Sequence, residues 1–314
     1  MSERYLVTGG AGVIGGELLE LLSARGAKVL SVDRLALPAP APPGVEHLRA
    51  DLAIADLAPV VAFRPDRILH LAATFERSVE SAEFWDQNWA DNVVATHRLV
   101  ELTAGLSGLQ AFVFASSYLV YRTSQYLFDA PAADGVALVE TAAISPRNLC
   151  GAAKLYAEGE LDFARTAMDA RFRTVSARIF RVYGRRSRDV VSRWVRAALD
   201  GTPIDVYHPE NRFDYVFSRD VADGLLRMAL SDRASGPINL ATGRSRTVGE
   251  MRELVESATG CHLEARELVA DEPYEASQAD TTRLGELLGW VPGTDLADGI
   301  GAVVAHERGA RGGG

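Results

Sequence analysis

Cysteine is almost missing from this chain: Cys150 and Cys261 are the only two in 314 residues. Two thiols cannot build a disulfide framework, and their spacing suits no metal site. A reducing, cytoplasmic compartment is the plain expectation. Long apolar runs are missing too. No stretch of about 18 uninterrupted apolar residues occurs, so nothing is expected to span a membrane. The chain enters an apolar run at its fourth residue, which leaves no room for a secretory leader. Positive charge is in deficit, and a net charge of −9 argues against a nucleic-acid surface. Apolar residues, by contrast, make up 47% of the sequence. That is enough for one large α/β domain, or for a cofactor domain with a smaller companion.

The first apolar run, Arg4-Tyr5-Leu6-Val7, breaks straight into Thr8-Gly9-Gly10-Ala11-Gly12-Val13-Ile14-Gly15. Gly9 allows a tight turn, Gly12 lets a pyrophosphate approach the backbone, and Gly15 lets the following helix pack closely on the strand. The unpaired N–H groups and dipole of that helix attract an anion. A second strand, Lys28–Val32, ends in Asp33, about 20 residues past the glycines, where an acidic side chain meets the adenosine ribose hydroxyls. This predicts a dinucleotide site. NAD is favoured over NADP because a carboxylate repels a 2′-phosphate, although Arg34 is placed to bind that phosphate instead.

Strand signals fall at 4–7, 28–32, 46–49, 67–71, 110–115 and 173–179, and helices near 13–25, 56–63, 83–106 and 146–169. Such alternation predicts a Rossmann-like, doubly wound parallel sheet. Residues 1–180 form the NAD-binding domain on this reading. Residues 181–308 form mainly a smaller C-terminal α/β substrate lobe, with some segments returning to the first domain, and 309–314 a disordered tail. Helices are expected near 189–199, 219–230, 247–258 and 296–308, with a strand at 204–206.

In a parallel sheet the carboxyl ends of the strands face the ligand crevice. The fifth strand ends there in Ser116-Ser117-Tyr118-Leu119-Val120-Tyr121, and the fourth in His70-Leu71-Ala72-Ala73, whose small residues let a cofactor lie close. Cys150 and Lys154 sit one turn apart on a common helix face. Arginines at 178, 181, 185, 186, 188, 193 and 196 either clamp a phosphorylated or carboxylated substrate or form a solvated face. Glu76 follows the fourth strand into a loop that is either substrate-facing or simply solvated.

Together these motifs make the chain resemble the extended short-chain dehydrogenase/reductases, the NAD-dependent nucleotide-sugar epimerases and dehydratases. The resemblance spans almost the whole chain. It rests on the glycine loop, Asp33, Asp51-Leu52, the segment 70–73, Asn92-Val93, the serine pair before Val120-Tyr121, and Lys154. It continues through Arg178–Gly184, Arg212–Phe217, Asn239–Gly243 and Leu288–Pro292. It implies NAD contacts at Gly9, Gly12, Val13, Ile14, Gly15, Asp33, Arg34, Asp51, Leu52, Leu71, Ala72, Ala73, Asn92 and Lys154. Ser117 takes the family's catalytic Ser/Thr place, and Lys154 binds the nicotinamide ribose and lowers the pKa of a neighbouring acid. A homodimer is implied through the helices near 83–106 and 146–169, whose faces carry Trp85, Trp89 and Leu99 unless these belong to the core.

The departures matter as much. The family's catalytic tyrosine position, four before the lysine, is Cys150. A phenolate reaches about 6.5 Å from its Cα and a thiol less than half as far, by bond-length reckoning. Cys150 is therefore either an acid/base or nucleophile with its pKa lowered by Lys154, or a small buried residue. Tyr118 either supplies the missing proton transfer or walls the pocket. Leu119 stands where dehydratases carry a glutamate base, which disfavours 4,6-dehydration. Arg181 replaces an asparagine. Phe213 replaces an arginine that grips the nucleotide diphosphate, with Arg212 available to compensate.

The resulting expectation is an NAD-dependent epimerase or dehydratase acting on a nucleotide-linked sugar through a transient ketone. Ser117, Lys154, Cys150 and Tyr118 are its catalytic set, and Ser116, Glu76, Arg181, Arg186 and Arg212 meet substrate. No metal, nucleic acid or membrane is called for. The alternatives are a dehydrogenase or reductase of a sugar or polyol without a nucleotide, and a catalytically silent NAD(H)-binding protein.

Overall fold

The computed structural model describes residues 3–312 apart from 38–39, 76–79, 168–170 and 269–270. Among these residues seven parallel strands form the main sheet: β1 (Arg4–Thr8), β2 (Lys28–Asp33), β3 (Val45–Arg49), β4 (Arg67–His70), β5 (Ala111–Ser117), β6 (Arg173–Ile179) and β7 (Gly236–Leu240). Their spatial order is β7-β6-β5-β4-β1-β2-β3. The order reverses between β1 and β4, and there the crevice for a ligand opens at the strands' carboxyl ends. β5 is buried along all of its length except Ser117. A continuous apolar run suits a parallel strand covered on both faces.

Helices α1 (Val13–Ala24), α2 (Ala58–Phe63), α3 (Ala82–Asn88), α4 (Ala95–Ala104) and α5 (Leu149–Ala167) follow the expected alternation. The span near 83–106 is not one α-helix, because a π-helical turn, Trp89–Val94, joins α3 to α4. Its extra residue aims Asn92 at the loop after β4. There the Asn92 carboxamide oxygen accepts from the Thr74 N–H (2.8 Å) and its NH2 donates to the Thr74 carbonyl (2.9 Å). Trp85 and Trp89 are exposed on this face, whereas Leu99 is core.

Beyond β6 come α6 (Val190–Asp200), α7 (Ser218–Leu230), α8 (Val248–Thr259), α9 (Thr282–Leu288) and α10 (Leu296–Gly312). α7 packs against α1, and β7 pairs with β6, so both belong to the main sheet's domain. The second lobe has its own core around Trp194, Val195, Met251 and Ile300. Short strands complete it: 204–207 beside 265–268, 181–183 beside 215–217, and a small sheet centred on Tyr274–Ala279. Residues 309–312 of the expected disordered tail are helical. α10 runs to Gly312, where Arg311 bonds Asp200 and lies 3.7 Å from Glu307, in keeping with a cation in the last turn of a helix. Residues 313–314 lie outside the described residues. No helix among the described residues is long and apolar enough to cross a membrane.

Candidate active site

Where β1 turns into α1 the backbone has no room for side chains. Gly9 adopts φ +75°, and a Cβ there would meet the Ala72 nitrogen at 2.7 Å; at Gly15 it would meet the Gly9 carbonyl oxygen at 2.1 Å. Gly12 caps α1 without a side-chain partner, which leaves the first-turn amides of Val13 and Ile14 facing the crevice. At the end of β2, Asp33 accepts hydrogen bonds from the Ala11 N–H (3.0 Å) and the Leu35 N–H (2.9 Å). Arg34 is taken by Asp91. Asp51 accepts from the Ala53 N–H (2.8 Å) and so fixes the turn that buries Leu52. Leu71 and Ala72 donate their N–H groups to the Thr8 hydroxyl (3.2 Å each), and Ala73 is exposed beyond them. A tight glycine turn, a bare helix N-terminus and a carboxylate at the end of β2 together fit a dinucleotide with an unphosphorylated ribose.

His70 is fully buried between the Thr8 hydroxyl (2.6 Å) and the Thr96 hydroxyl (2.9 Å). Burial, helped by the nearby Lys154 charge, pushes its pKa down to about 3, so the ring is neutral.

Ser117 is half-buried at the mouth of β5, and its hydroxyl oxygen accepts from the Leu119 N–H (3.2 Å). Lys154 is buried on α5 with its ammonium 4.7 Å from the centre of the Phe114 ring. Among the described residues it makes no hydrogen bond or ion pair. Burial lowers its pKa, and Cys150 opposes that only in part. Only Lys28 and Lys154 are lysines among the 33 basic residues of the chain. An arginine stays charged wherever it is put; a buried lysine can lose its proton.

Several sequence expectations change here. Lys154 does not turn Cys150 into a thiolate. Burial raises the thiol's pKa and outweighs the pull of Lys154, and the thiol donates a long hydrogen bond to the Thr74 carbonyl (4.0 Å). Tyr118 leaves the Ser117–Lys154 pair. Its ring is buried, stacked 5.0 Å from Phe180, and its hydroxyl donates to Glu275 (3.0 Å). Burial raises its pKa further, which makes it a poor proton acceptor. Ser116 does not face substrate, because strand alternation turns it away from Ser117. It donates to Glu158 (2.5 Å), which also holds Arg178 through two hydrogen bonds (3.0 and 2.7 Å).

The arginine run divides. Arg178 is internal, Arg185 bonds Glu17, and Arg196 bonds Glu307. Arg186 lies 3.6 Å from Glu20 beside α1. The Arg181 guanidinium carbon lies over the Phe213 ring, 4.1 Å from its centre. Arg212 does not compensate for Phe213. Neighbouring strand positions point to opposite faces, and the Arg212 Nε is buried without a partner. Glu76 lies outside the described residues. Arg147 and Glu275 escaped the sequence reading. Arg147 Nη1 donates to Glu275 (2.5 Å), while the Arg147 N–H donates to the Leu119 carbonyl (2.9 Å) beside Ser117. A lone charged residue in a short strand, Glu275 in Tyr274–Ala279, is the signal that marks it.

The model of the NAD dependent epimerase/dehydratase family matches residues 5–241. This chain belongs to that family. The UDP-glucose 4-epimerase of Mycolicibacterium smegmatis is 30% identical over 330 residues, covering 97% of this chain and 98% of that protein. UDP-glucuronic acid decarboxylase 2 of Arabidopsis thaliana is 29% identical over 324 residues, covering 97% of this chain and 68% of the relative. Among solved structures, MoeE5 in complex with UDP-glucuronic acid and NAD superposes with a TM-score of 0.85 at 29% identity, over 98% of this chain and 99% of that one. The UDP-glucose 4-epimerase of Thermus thermophilus in complex with NAD gives 0.82 at 29% identity, with the same coverage. Membership in an NAD-dependent family agrees with the groove built by Gly9, Gly15 and Asp33. The chain is an enzyme of this epimerase/dehydratase type.

Proposed function

We propose that this enzyme epimerises or dehydrates a nucleotide-linked sugar through a transient ketone, without tyrosine as its base, Cys150 standing where the family carries that residue. The observation that carries the reading is the pair Ser117 and Lys154, on β5 and α5, at the carboxyl edge of a sheet whose first turn fits NAD. The names of its relatives supply the substrate class. Bound NAD supplies a hydride acceptor that can also return the hydride, so no second redox substrate is consumed. Ser117 donates its hydroxyl proton in a hydrogen bond to the sugar oxygen that becomes the carbonyl. Lys154, whose pKa burial lowers, is the group that accepts the proton this oxygen releases. Cys150 keeps its proton and leaves room beside Lys154. The enzyme works as a homodimer on this reading, through outer helix faces where Trp85, Trp89, Tyr156 and Phe163 are exposed.

The test incubates the purified protein with UDP-glucose, UDP-galactose and UDP-glucuronic acid and resolves the products by NMR. Conversion without net reduction of added NAD is expected. One observation favours a second reading: Phe213, buried beneath the Arg181 guanidinium, offers no donor at the position where the family carries an arginine for the diphosphate. A dehydrogenase or reductase of a sugar or polyol without a nucleotide fits that change, and stoichiometric NADH formation identifies it.

A further inference from the structure

Next to Tyr118, two guanidinium groups converge on one carboxylate oxygen. Glu275 Oε2 lies 2.5 Å from Arg147 Nη1 and 3.4 Å from Arg181 Nη2. Its other oxygen accepts from the hydroxyls of Tyr118 (3.0 Å) and Ser277 (2.9 Å). Burial alone would push the Glu275 carboxyl up, but Arg181 and Arg147 together hold it below the ordinary carboxylate range. The glutamate side chain is 3% exposed, whereas Arg147 and Arg181 are 34% and 41% exposed. The anion is therefore sealed while both cations keep solvent-exposed surface.

The charges do not balance. Two arginines face one glutamate, and among the described residues no other carboxylate pairs with either. The Arg181 Nε is buried with no acceptor, an unmet donor of the kind folded proteins rarely leave. Phe213 supports the Arg181 guanidinium from below. One more negative charge would neutralise the group, and a planar two-oxygen anion matches the fork of an arginine.

We infer that Arg147 and Arg181, anchored by Glu275, form a clamp that reads a carboxylate on the substrate. The inference rests on the nucleotide-sugar reading for where substrate lies, and it deepens that reading by assigning an acidic sugar. Arg147 ties the clamp to the reacting end, because its backbone bonds the Leu119 carbonyl and Cys150 follows three residues later.

Calorimetric titration of the NAD-saturated full chain with UDP, UDP-glucose, UDP-glucuronic acid and free glucuronate tests it. Wild type is expected to bind UDP-glucuronic acid at least tenfold tighter than UDP-glucose. Arg147→Gln and Arg181→Gln each abolish that preference and leave UDP-glucose affinity within about threefold, while Arg147→Lys, which keeps the charge and loses the fork, restores part of it. The preference is a ratio within each protein, so lost stability alone does not move it. For a variant that fails to fold, the wild-type preference must instead shrink with rising salt. Equal affinity for the two sugar nucleotides, or a preference that survives both glutamine variants, overturns the clamp. Equal losses for UDP, UDP-glucose and UDP-glucuronic acid assign the arginines to the nucleotide phosphates and overturn it too. Binding of glucuronate that needs Arg147, with no binding of UDP, keeps the clamp and removes the nucleotide reading.

Discussion

Arg34 and Asp91 are locked in a two-pronged ion pair, with both N–O distances at 2.9 Å, across 57 residues of chain. The guanidinium that follows Asp33 in sequence is thereby neutralised, while Arg49, opposite Asp33 on β3, donates to the Arg34 carbonyl. With Arg34 held this way, the carboxylate of Asp33 at the end of β2 suits an unphosphorylated ribose better than a 2′-phosphate.

Freeing that arginine should relax cofactor choice. Asp91→Asn is expected to lower the KM for NADP several-fold and to leave the KM for NAD within about twofold. Arg34 is half exposed, so the change in unfolding free energy should stay below about 1 kcal/mol. Cofactor kinetics alongside thermal unfolding check both halves.

Lys154, rather than Cys150, should govern the proton chemistry. Lys154→Met is expected to cut kcat by roughly 10²–10⁴. Cys150→Ser should change it by less than about threefold, because the thiol is already protonated. Burial lowers the Lys154 pKa, and the amine must be neutral to act. Activity should therefore rise with pH to a plateau reached below the ordinary lysine range. A profile that is flat in wild type, or that follows Cys150, contradicts the assignment.

His70 should make the fold acid-sensitive. Its pKa falls from 6.5 to about 3 on folding. The unfolded chain then binds the extra proton between those values, and stability drops as pH falls from 6.5 toward 3. The loss should be on the order of 5 kcal/mol. Urea unfolding at stepped pH should show a steeper decline for wild type than for His70→Gln.

The Ser116–Glu158–Arg178 group should matter for stability and not for binding. Removing the charge with Glu158→Ala leaves Arg178 buried and unpaired at a site 5% exposed, at a cost of about 3–5 kcal/mol. Calorimetric NAD affinity of the folded fraction should be unchanged. Ser116→Ala should likewise leave kcat/KM within about twofold.

Much of the fold could be read along the chain because it rests on short-range periods. The glycine spacing, the alternation of apolar strands with helices and the four-residue step from Cys150 to Lys154 are all local. β7 escaped as a member of the main sheet, since Gly236–Leu240 comes after the lobe has begun. The π-helical turn escaped because one additional residue in a helix leaves hardly any trace in hydrophobic period.

The chain by itself determined the parallel sheet, the phosphate turn, and the placement of Ser117 and Lys154, since backbone conformation and side-chain periodicity follow from neighbours. Only the folded molecule decided which side chains meet. Tyr118 finds Glu275 157 residues away, Arg147 reaches it across 128, and Ser116 reaches Glu158 across 42. Those meetings and the burial around Cys150 and Lys154 set the charge of each group. Charge in a protein interior depends on surroundings that no local stretch of sequence contains.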